Sequence, residues 1–108
     1  MSNYRERLCR LAVNDPTLLA GELGVHRELP GADDRLFAIA RLASLVAVHG
    51  SGPSFAEQTD AAIDAGLTPD EIVDVLFAVS SVVGLPRVVS AAPMVALALG
   101  FDVESVVD

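Results

Sequence analysis

The chain has 108 residues and a net charge of −8, with 52% apolar residues, a single cysteine and no lysine. That length allows one domain with a single core and little surplus. An acidic chain repels phosphate backbones, which sets nucleic-acid binding aside, and the lone Cys9 can form no intramolecular disulfide and joins no cluster with zinc spacing.

So much apolar surface cannot all be hidden inside a small chain, so a homo-oligomer with helices buried at subunit contacts is expected. The charge is uneven. Six acids and six arginines balance over residues 1–50, and the whole −8 lies in residues 51–108, where Arg87 is the one basic side chain. The first residues carry no apolar signal core, so a cytoplasmic location is expected. The longest apolar run, residues 36–48, spans only ~20 Å as a helix and contains Arg41, so no membrane span is expected.

Residues 4–13 place Tyr4, Leu8, Leu11 and Ala12 on one helical face, with Arg5, Glu6 and Arg10 outside. Asn14, Asp15 and Pro16 stop this helix and start a short second one over 16–23, with Asp15 as N-cap. Gly24 ends that, and residues 25–30, including His26, read as a connector. Asp33 or Asp34 can cap a long third helix over 35–48, apolar nearly all round and so suited to burial on most sides.

The run from His49 to Gly52 breaks the chain. Pro53 suits the first turn of a fourth helix that ends at Ala65, with Gly66 after it. Thr68, Pro69 and Glu71 form a capping-box start for a fifth helix to Val83, with Ile72, Val75, Leu76, Val79, Val82 and Val83 as its buried stripe. Gly84 ends it. A sixth helix runs from Leu85 to about Leu99, with Pro93 inside and a kink expected there. Gly100 closes it, and Phe101 and Val103 can pack the tail. No strand pattern is present, so the fold class is all-α with about six helices.

Two runs carry a resemblance: Ala61-Ala62-Ile63-Asp64-Ala65-Gly66-Leu67-Thr68-Pro69-Asp70-Glu71-Ile72 and Val82-Val83-Gly84-Leu85-Pro86-Arg87-Val88-Val89-Ser90-Ala91. Over about residues 34–103 the chain resembles the carboxymuconolactone decarboxylase family, which includes the alkylhydroperoxidase D-like proteins. The resemblance implies an orthogonal helical bundle assembled as a trimer or hexamer, in one domain over 1–108. Peroxidase-like members open the fourth helix with Cys-x-x-Cys and place a histidine four residues on. Those positions are Ser51, Ser54 and Gln58 in this chain, and the acid of the preceding helix falls near Ile39. A serine hydroxyl cannot replace a thiolate, so thiol peroxidase activity is not expected. The decarboxylase branch is thought to use the histidine, and an amide does not titrate near neutral pH.

Two functions follow. In the first, a decarboxylase-like lyase acts on a small carboxylate or lactone without redox chemistry. Arg41 or Arg87 holds the anion, Ser51, Ser54, Phe55 and Gln58 line the site, and His49 moves the proton. In the second, the chain is a binding or accessory oligomer that has lost catalysis. Structural roles compete throughout: Arg41 can lay its stem on apolar surface, Ser51 and Ser54 can cap, His49 suits a helix C-terminus, and Arg87 can pair with acids. No metal or cofactor is expected.

Overall fold

The computed structural model describes residues 4–17 and 33–103. Backbone contacts divide the chain into two compact units, Met1–Ala32 and Asp33–Asp108. Among the described residues there are five helices and no strand: α1 (Tyr4–Ala12), α2 (Asp34–Val48), α3 (Gly52–Asp64), α4 (Pro69–Val83) and α5 (Leu85–Ala98). None is long and apolar enough to cross a membrane.

In the first unit, α1 leaves Tyr4, Leu8 and Leu11 exposed. Asn14 takes a positive φ of 57° just beyond it. Asp15 then acts as expected at the next start: its Oδ1 accepts from the Thr17 backbone N–H at 2.9 Å, and Arg10 Nε donates to Oδ2 at 3.1 Å. The Thr17 hydroxyl, then its backbone N–H, then Arg10 hold the Asp15 carboxyl below its ordinary 3.8. Pro16 and Thr17 are helical. The rest of the expected second helix, the connector over 25–30 and His26 lie outside the described residues.

The second unit is built from caps that local chemistry dictates. Asp33 accepts from the backbone N–H groups of Arg35 and Leu36 and starts α2. Ser51 accepts from Ser54 N–H at 3.3 Å and starts α3. Thr68 and Glu71 exchange both bonds of the capping box at 3.1 and 2.9 Å and start α4. At the end of α3, Gly66 has φ +97°. Leu67 N–H donates to Ala62 O and Gly66 N–H to Ile63 O, the paired bonds of a Schellman stop. Gly84, at φ +90°, turns α4 directly into α5. Either glycine would be strained by a side chain.

Within this unit α2 packs on α3 and α4, and α5 packs on the same two helices. The chain neighbours α3 and α4 therefore meet only along a diagonal. The core comprises Ala38, Leu42 and Val46 of α2, Phe55 and Ala62 of α3, Leu67, Ile72, Val75 and Leu76 around α4, and Ala91 and Val95 of α5. One polar side chain, Thr59, is fully buried among them.

Two sequence expectations change here. Val82 leaves the buried stripe of α4 and is 85% exposed, while Val79 and Val83 pack against the core. Successive residues turn by about 100°, so Val82 falls beside the contact strip rather than in it. Helix α2 buries a single stripe within one chain: Leu36 and Val48 remain 59% and 71% exposed. Helix α5 continues through Pro93 to Ala98, and Phe101 is exposed after it.

Candidate functional site

Helices α2 and α3 carry the groups singled out by sequence, and the α2–α3 connection decides how they face. His49 takes a left-handed backbone, φ 60° and ψ 55°, where glycine is usual. Its N–H donates to Val46 O, and the next N–H, from Gly50, reaches Leu45 O at 2.8 Å. The imidazole is thereby set at an exposed helix end. Ser51 caps α3, and its hydroxyl donates to Ser54 Oγ at 3.1 Å. Both serines are engaged in starting the helix.

Gln58 lies one turn further on and is half-buried. With Ala40, Arg41, Ser44 and Leu45 of α2 it lines a cavity of about 360 Å³ that opens widely to solvent. Its walls are mainly apolar. Arg41 holds its guanidinium 5.5 Å from the centre of the Phe37 ring, within cation–π range. No carboxylate pairs with Arg41 among the described residues. Ser44 donates back to Ala40 O at 2.7 Å, which commits its hydrogen within the helix. The Gln58 Oε1 is shut off from solvent with no hydrogen-bond donor among the described residues, so its NH₂ is the polar end it can offer. Among the described residues, the cavity is therefore a donor-lined, apolar-walled recess with no lining side chain that titrates near neutral pH.

The structure brings together two of the expected site residues, Arg41 and Gln58. It does not bring His49 to them, and His49 is not part of the lining. Phe55 is 1% exposed in the core and is no part of the lining either. Ser51 and Ser54 stay in the cap. Arg87 is exposed near the start of α5 and is not part of this lining. Ala40, Ser44 and Leu45 were not singled out by sequence. Ser44 stands three residues after Arg41, a spacing that puts both on one helical face and could have flagged it.

Comparison with protein-family models, curated proteins and solved structures returns no match.

A second recess of about 500 Å³ is lined by Asp60, Ile63 and Asp64 of α3, Pro69 of α4, and Ala98 and Leu99 at the end of α5. Among the described residues no group of three or more His, Cys, Asp or Glu could hold a metal ion.

One electrostatic contact was also not expected from sequence. Arg35 donates to Gly66 O at 2.7 Å and to Glu71 Oε2 at 2.6 Å, tying the start of α2 to the α3–α4 turn. The Thr68 backbone N–H, and after it the Arg35 guanidinium, hold the Glu71 carboxyl below its ordinary 4.5. A depressed carboxylate contributes stability that is complete above its unfolded pKa and lost as pH falls through its folded one. The unfolding midpoint should therefore be level above about pH 5.5 and fall below pH 4.5. In Glu71→Gln this component of the acid slope should be missing. An identical slope in wild type and variant would show that Glu71 does not carry it.

Proposed function

We propose that this chain is a catalytically silent, self-assembling relative of the carboxymuconolactone decarboxylase family, an orthogonal helical bundle that acts through binding and assembly rather than turnover. One observation carries the proposal. At the position where members of that family keep a histidine, Gln58 faces a recess in which Arg41 is the one charged group among the described residues, while His49 stands outside it on an exposed helix end. General acid–base catalysis needs a titrating group within hydrogen-bond reach of the reacting atom, and the described residues of this lining supply none. Assembly is supported by the apolar side chains left open on the helices, among them Leu36, Val48, Phe77, Leu85 and Val89. A trimer or hexamer would cover them.

The rival is a lyase for a small carboxylate or lactone with His49 as base. His49→Gly separates the two. Glycine relieves the left-handed backbone, where an L-residue costs roughly 1–2 kcal/mol, offset in part by the greater freedom of the unfolded chain. The variant should keep the oligomeric state and unfold at slightly higher denaturant. Wild-type turnover of a lactone or carboxylate substrate that vanishes in His49→Gly would overturn the proposal in favour of the enzyme.

A further inference from the structure

Helix α4 shows the core its Ile72–Val75–Leu76 face, and turns Asp70, Val73, Asp74 and Phe77 the other way. These four sit at i, i+3, i+4 and i+7, so they form one stripe. Phe77 is 72% exposed at the end of it. An outward phenylalanine flanked by two carboxylates gains nothing within one chain, and among the described residues neither Asp70 nor Asp74 has an arginine partner.

The recess of α2 and α3 has the opposite character. Ala40 and Leu45 give it apolar walls, Arg41 gives it a cation with no carboxylate partner among the described residues, and its volume of about 360 Å³ is ample for a phenyl ring. The two surfaces are opposite in charge, and no residue of the α4 stripe lines the recess within one chain.

We infer that the recess is filled by a second copy of this chain: Phe77 of the neighbour enters between Ala40 and Leu45, and its Asp74 pairs with Arg41. The inference rests on the assembly proposed above and specifies which residues make it. The contact is head-to-tail, because each copy offers one recess and one knob, and such contacts close into rings when the rotation allows. An aromatic anchor in a pocket with a charged neighbour at its edge is also the usual make-up of a binding hot spot.

The test is light scattering after size exclusion on the full chain at tens of micromolar. Wild type should run as a closed oligomer. Phe77→Ser, which removes an exposed side chain and leaves the core intact, should weaken association at least tenfold and yield monomer with an unchanged circular-dichroism spectrum. Arg41→Glu and Asp74→Arg should each do the same, and the double variant R41E/D74R should recover the oligomer.

An oligomeric wild type that Phe77→Ser leaves intact overturns this contact alone and leaves the proposed assembly standing. So does failure of the double variant to exceed the single ones. A monomeric wild type overturns both. Titration of wild type with benzoate covers the alternative occupant: saturable binding abolished by Arg41→Glu, in an oligomer unaffected by Phe77→Ser, assigns the recess to a small carboxylate instead.

Discussion

Phe55→Ala should cost about 3–5 kcal/mol of unfolding free energy, the usual range for deleting a buried aromatic. Phe55 is among the largest fully buried side chains, alongside Leu42, Ile72, Val46 and Val95. It comes from α3, the helix that packs on both α2 and α5. Removing its ring takes away the transfer free energy and leaves a void that well-separated helix backbones close only in part. Against a typical total of 5–15 kcal/mol, the variant should be marginal or unfolded at 37 °C. The readout is a urea or thermal midpoint by circular dichroism. A loss below about 1 kcal/mol would mean that Phe55 is not in the core, and would return it to the pocket-lining role expected from sequence.

Thr59→Val should move stability the other way, by about 1–3 kcal/mol. Thr59 is 0% exposed, and its hydroxyl has no hydrogen-bond partner among the described residues. A buried hydroxyl without a partner carries its full desolvation cost. Valine keeps the branched shape, fills the same space and removes the polar atom. Both residues are β-branched, so the helix itself is little affected. The same denaturation experiment reads it, with a higher midpoint and an unchanged slope expected. A lower midpoint would show that the hydroxyl has a bonded partner in solution, such as a carbonyl of the preceding turn.

Much of the fold was legible because helix ends are local chemistry. Asp33, Ser51, Thr68 with Glu71, Gly66 and Gly84 each act within a few residues of their own position; the sequence points directly to the last four, offers Asp33 beside Asp34, and gives Ser51 capping as one of two roles. Arg35 was not legible, since its two partners lie 31 and 36 residues away. Phe55 illustrates a different gap. It sits next to Ser54 and near Gln58 in sequence, but helix rotation carries it about 60° from Gln58 towards the core. Thr59 looks like a surface residue by type, and only packing against neighbouring helices reveals its burial. Among the site residues, Arg41 and Gln58 were singled out because each stands out in the sequence, one as a charge within an apolar run and the other as an amide where the resemblance leads one to expect a histidine. The displacement of His49 was hidden, because its left-handed backbone follows from the Schellman-type bonds of Gly50 and His49 rather than from its own side chain.

The proposed assembly would cover apolar side chains that the single chain leaves exposed. Leu36, Val48, Phe77 and Val82 are normal for a subunit and numerous for a small isolated domain. Native mass spectrometry of the purified chain at micromolar concentration tests this most directly. Catalytically silent assembly predicts one closed multimer, three or six copies, with no small molecule retained. A single copy, or a multimer carrying a lactone or carboxylate that it converts, would contradict it.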